Sequence, residues 1–159
     1  MRIVAQRVTS ASVEAEGKVV GSIGRGLCVF VGIARKDTER ECSWAAKKTA
    51  MLRIFDDGGG KMNRSLLDIG GEALIVSQFT LCADCKKGNR PSYAGAAPPE
   101  EANALYESFA QKIGSMGIRT QMGVFGAAMK VGIANDGPVT IVLDSADMPG
   151  QDQGGWGCG

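Results

Sequence analysis

The chain contains no histidine in its 159 residues. That absence removes every Ser-His and Cys-His nucleophile pair and the usual general base, so any hydrolysis here runs without imidazole. No apolar run approaches the ~20 residues a membrane helix needs. The N-terminus carries only Arg2 and lacks a signal-peptide core, so a cytoplasmic protein is expected. Formal net charge is only +1, which gives no global field for nucleic acid. Any RNA contact must use a local patch, and Lys86-Lys87 with Arg90 is one. Lys47, Lys48 and Arg53 on a predicted helix, and Lys61 with Arg64 in a loop, are others. A disulfide framework is also missing, because five cysteines at 28, 42, 82, 85 and 158 form an odd, irregular set. Cys82 and Cys85 have CxxC spacing but run on into Lys86-Lys87-Gly88, a loop, rather than opening a redox helix. Zinc would need two further ligands, and only scattered cysteines remain. Neither metal nor cofactor is expected.

What is present reads as one domain over 1–145, long enough to bury a core. Alternation predicts strands at 2–8, 11–15 and 18–23, with Glu16-Gly17 as a tight turn, and an apolar strand at 27–33. Thr38 and Glu41 have capping-box spacing, which predicts a helix to about Ile54. The next strand runs from Glu72 into Ser77-Gln78-Phe79-Thr80. Pro98-Pro99-Glu100-Glu101 opens a second helix with an apolar stripe of Ala102, Leu105, Phe109, Ile113 and Met116. Strands are then expected at about 118–122, 128–134 and 138–144. This order is not a βα alternation. It predicts an α+β domain, a curved mixed sheet or half-open β-barrel with two helices packed outside. The Gly-rich end, 146–159, reads as a mobile tail.

Two strings carry chemistry. Strand periodicity puts Gln78 and Thr80 on one face, after the apolar Leu74 and Val76. Asn135-Asp136-Gly137-Pro138-Val139-Thr140 places Gly-Pro between two apolar strands, where Asn-Gly or Asp-Gly alone would make the turn. Proline adds a fixed φ, a lost donor and the option of a cis bond.

Read with Gly88-Asn89-Arg90-Pro91-Ser92-Tyr93, Gly123-Val124-Phe125-Gly126-Ala127-Ala128-Met129 and the N-terminal Gln6-Arg7-Val8, these strings resemble the D-aminoacyl-tRNA deacylase family. The resemblance covers Met1 to Ser145. It implies an active site of Ser77, Gln78, Phe79 and Thr80, with chemistry carried by backbone groups of Gln78 and Phe79 and by the RNA. Thr80 then positions water or structure, since an unactivated threonine is a poor nucleophile. It implies that Gly137-Pro138 is cis, with two carbonyls forming a wall that rejects L-residues, spares D-residues and passes glycine in part. Arg7 matches the arginine that orients this motif, and Phe125 and Met129 match the pocket for the terminal adenine. The motif enters the partner subunit's site, which implies a homodimer acting on aminoacyl-tRNA, with Lys86, Lys87 and Arg90 as tRNA contacts. The alternatives are an animal-type deacylase with different motif strings, a non-catalytic nucleic-acid-binding protein, and a thiol oxidoreductase using Cys82 and Cys85.

Overall fold

The computed structural model describes residues 1–150. Its organising element is β1, Arg2–Ala15, one strand where two short ones were expected. One edge of β1 pairs antiparallel with β8, Met129–Asp144, from Arg2↔Asp144 to Ala15↔Met129. The other edge is divided. Residues 2–8 pair with β3, Gly26–Gly32, and residues 11–15 with β2, Lys18–Ile23. The β1–β2 turn has positive φ at both Glu16 (51°) and Gly17 (74°), the handedness that matches strand twist in a two-residue hairpin.

Beyond β3 the sheet turns parallel, to β6, Glu72–Ser77, and β7, Arg119–Met122. Parallel neighbours need long crossovers, and these contain α1, Glu39–Met51, and α2, Pro99–Ser115. A small hairpin of β4, Phe55–Asp56, and β5, Met62–Arg64, was not anticipated. Among the described residues no helix is long and apolar enough to cross a membrane.

Alternation along the strands fills two cores. Ile3, Ala5, Leu27, Val29, Val31 and Ile75 face Ala45, Ala46, Phe109 and Ile113 of the helices. Val8, Ala11, Val13, Ile23, Cys28, Leu74 and Val76 fill the inside of the curl. Val8 and Ala11 share this side although they are three positions apart, because the β1–β8 register shifts between Val8 and Ser10. The curl brings β2 against β7. A Cβ on Gly21 would lie 3.1 Å from the Met122 carbonyl oxygen and 3.2 Å from Leu74 Cδ1. The result is a nearly closed, barrel-like mixed sheet with two helices outside, the expected α+β architecture.

The capping box is formed: Arg40 N–H donates to Thr38 Oγ1 (3.2 Å) and Thr38 N–H to Glu41 Oε2 (2.9 Å). However, α1 ends at Met51, not near Ile54. Leu52 leaves helical geometry with ψ of 122°, the Ile54 carbonyl accepts from Arg7 Nη1 at 2.6 Å, and Phe55 enters β4. At the other end, a 3-10 turn, Ser145–Asp147, and the buried Met148 extend the packed chain past residue 145. The rest of the predicted tail, 151–159, lies outside the described residues.

Candidate active site

The Ser77-Gln78-Phe79-Thr80 segment is not a continuous strand. Parallel pairing with β3 ends at Val31↔Ser77, and Phe79–Cys82 winds into a 3-10 turn. The Gln78 N–H donates to the Val31 carbonyl (2.8 Å), and the Gln78 carbonyl accepts from Leu81 N–H (3.2 Å). The Gln78 amide is therefore occupied. The first N–H groups of a helical turn have no partner inside it, and no side chain caps this one. That leaves Phe79 N–H, followed by Thr80 N–H, as the backbone donors that open the turn. Gln78 and Thr80 do meet, by a route the strand reading did not contain: Gln78 Nε2 donates to Thr80 Oγ1 at 2.5 Å.

A cavity of about 760 Å³ opens beside this turn. Ser77, Gln78 and Phe79 form one wall, and Phe125, from the β7–β8 connection, with Met129, the first residue of β8, forms another. Thr80 is exposed and does not line it. Tyr106 of α2 does line it, and sequence reasoning missed this residue. It is 1 % exposed. Its hydroxyl sits 2.8 Å from the Ile75 carbonyl oxygen and 3.3 Å from that of Gly123. Its ring centroid is 5.9 Å from that of Phe125. Burial pushes the phenol up to about 12, so it remains a neutral donor. The available signal was the width of the α2 stripe, since Tyr106 and Ala110 follow Leu105 and Phe109 onto the same buried face.

Arg7, Gly137 and Pro138 form a separate cluster that contributes nothing to the lining of this cavity. Gln6 pairs with Thr140 and Val8 with Asn135, so Arg7 alone stands opposite residues 136–139. The excursion is held tightly. Arg7 Nε lies 3.0 Å from Asp136 Oδ2 and 3.3 Å from the Asp136 carbonyl oxygen. Asn135 Nδ2 donates to the carbonyls of Arg7 (3.1 Å) and Val139 (3.3 Å). Gly137 has φ of 113°, and a Cβ there would lie 2.6 Å from Arg7 Nη2. The Gly137-Pro138 bond is cis, and both residues are exposed.

Lys86, Lys87 and Arg90 are exposed in a loop closed by paired Asp84 and Ser92 backbone bonds (2.8 and 2.9 Å), outside the cavity lining. Cys82 is buried and Cys85 exposed. Burial raises the pKa of Cys82, which suppresses its thiolate.

The sequence profile of the D-Tyr-tRNA(Tyr) deacylase family matches residues 4–144. A D-aminoacyl-tRNA deacylase of Desulfitobacterium hafniense (strain DSM 10664 / DCB-2) is 56% identical over 145 residues, 91% of this chain and 97% of that protein. One of Thermotoga petrophila (strain ATCC BAA-488 / DSM 13995 / JCM 10881 / RKU-1) is 53% identical over 148 residues, 93% and 99% of the two chains. Among solved structures, a c-Myc DNA Unwinding Element Binding Protein matches with TM-score 0.85 and 43% identity, covering 91% of this chain and 98% of that one. A probable eukaryotic D-amino acid tRNA deacylase matches with TM-score 0.77 over 89% and 97%, and its 20% identity speaks to fold alone. The protein is a hydrolase acting on carboxylic ester bonds. It belongs to the D-Tyr-tRNA(Tyr) deacylase family.

Proposed function

We propose that the protein hydrolyses the ester joining a D-amino acid to tRNA, releasing the free amino acid and tRNA in the cytoplasm. The observation that carries this reading is that one cavity has Ser77, Gln78 and Phe79 on one wall and Phe125 and Met129 on another. The terminal adenine packs on Phe125 and Met129; stacking a base on an aromatic ring is worth ~1–3 kcal/mol. The ester carbonyl then lies at the opening of the 3-10 turn, where Phe79 N–H receives the developing oxyanion. Loss of one such donor in other enzymes costs ~10²–10³ in rate. Gln78, which lines the cavity, orients water, and the Thr80 hydroxyl outside it holds the Gln78 side chain in place, with no covalent role for Thr80.

Chirality is read elsewhere. Gly137-Pro138 stands exposed, outside its own chain's cavity, and Arg7 fixes its position. The motif acts in the partner subunit's cavity, so the working form is a homodimer with two composite sites. Its carbonyls reject an L side chain, which makes the enzyme indifferent to the identity of the D-residue and partly permissive to glycine. Lys86, Lys87 and Arg90 meet tRNA phosphates locally, as the small net charge requires.

The second reading, a non-catalytic nucleic-acid-binding protein, draws on the basic loop and on the DNA-binding name of the 43%-identical structure. Turnover separates the two. Purified protein is expected to release many equivalents of D-tyrosine from D-Tyr-tRNA. Binding without release would favour the second reading.

A further inference from the structure

The rim of the cavity carries a surface that the chemistry above leaves unused. Phe79 and Tyr93 both line the cavity yet are 59 % and 40 % exposed, which places their rings at its mouth. The rings meet edge to face, with centroids 5.0 Å apart and planes at 70°. Arg35 lines the same cavity. Its backbone N–H donates to the Gly95 carbonyl (3.1 Å) and its Nε to the Ala94 carbonyl (2.7 Å), so it is tied to the loop that carries Tyr93. Those bonds leave the two terminal guanidinium nitrogens at the rim. Arg35 also lines a neighbouring cavity of about 410 Å³ together with Arg2 and Lys36.

Large exposed rings beside a fixed cation are the combination that holds single-stranded nucleic acid. The ring stacks a base of any identity while the cation meets the backbone phosphate. We propose that Tyr93, the edge of Phe79 and Arg35 form the landing for the penultimate, unpaired nucleotide of the tRNA 3′ end. The inference rests on the proposed function, in which the terminal adenosine fills the cavity. The strand leading to that adenosine must leave through the mouth, where these exposed rings stand. Arg35 then sits between the two cavities, placed to neutralise the phosphate linking the last two nucleotides.

The test uses an uncharged RNA ending in unpaired CCA, with a fluorescent cytidine analogue at the penultimate position. Fluorescence is expected to fall on binding as the base stacks. Tyr93→Ala and Tyr93→Leu should each remove most of the quench and weaken binding about tenfold, within the range a lost base–aromatic stack produces. Tyr93→Trp should keep both. Arg35→Ala should weaken binding and reduce its salt dependence by about one phosphate contact. A probe that binds without quenching, or that is quenched equally by Tyr93→Leu, overturns the proposal. The readout needs no hydrolysis. Quenching by a protein that releases no D-tyrosine would sink the deacylase reading alone. Hydrolysis of D-Tyr-tRNA without quenching would sink this inference alone.

Discussion

Arg7 holds the Gly-Pro excursion in place. Its side chain is only 13 % exposed and reaches three oxygens at once: the Asp136 carboxylate, the Asp136 carbonyl and the Ile54 carbonyl. It thereby ties the Gly-Pro excursion to the end of the α1 connection. Hydrogen bonds to a charged group are worth ~1.5–3 kcal/mol each, and every 1.4 kcal/mol is tenfold. Arg7→Ala is therefore expected to lower the D-over-L ratio of kcat/KM by at least about tenfold. Lysine, with a single point of attachment, should not restore it, since it cannot bridge Ile54 and Asp136. Gly137→Ala should act in the same direction, because its φ of 113° disfavours any side chain and the added Cβ would meet Arg7 Nη2. Ratios measured on D- and L-Tyr-tRNA with each variant check this; an unaltered ratio in both would remove Arg7 from the account.

Tyr106 belongs to the scale of elements, because it joins three of them. From α2 it donates to the last turns of backbone before the site: the Ile75 carbonyl in β6 and the Gly123 carbonyl after β7. Gly123 N–H also donates to Ile75 (2.9 Å), so one carbonyl keeps a partner when the hydroxyl is removed and the other loses its donor. Tyr106→Phe should thus cost about 1–3 kcal/mol, read as a lower urea midpoint at unchanged m-value. It should also reduce activity, by loosening the connection that carries Phe125 and leads into Met129. Where structure followed local chemistry, it was legible in the sequence: the Glu16-Gly17 turn, the Thr38–Glu41 box, the Pro98-Pro99 start and the alternation that sorts two cores. What stayed illegible was set by distant partners. Gln78 N–H makes the last bond of the β3–β6 ladder, to Val31, before the chain winds into its 3-10 turn, and α1 stops short where Arg7 takes the Ile54 carbonyl. The Gly-Pro string was visible as an anomaly, but that four residues stand opposite Arg7 alone follows only from the β1–β8 register.

At the scale of the whole molecule, one chain separates two tasks. On the proposed function the cavity with Phe79 N–H carries the ester chemistry, and the Arg7–Gly137–Pro138 cluster, which does not line that cavity, reads handedness. The proposed homodimer would reunite them twice, across an isologous two-fold interface. Heterodimers isolated with two tags test this. One subunit carries Ala102→Trp, which fills the cavity, and the other carries Gly137→Ala. The only open cavity then faces the intact motif of the other subunit, so D-over-L preference should match the unaltered protein, at roughly half the activity per dimer. Loss of preference in that heterodimer would place the motif's action within its own chain.

The central claim is that this cavity hydrolyses the ester of a D-residue and spares its mirror image without imidazole. The most direct measurement compares hydrolysis of matched D-Tyr-tRNA, L-Tyr-tRNA and Gly-tRNA by the purified protein with a metal chelator present. The account predicts rapid loss of the D ester, partial loss of the glycine ester and survival of the L ester. Equal loss of the D and L esters would contradict the chiral role of Gly137-Pro138, and survival of all three would contradict the deacylase itself.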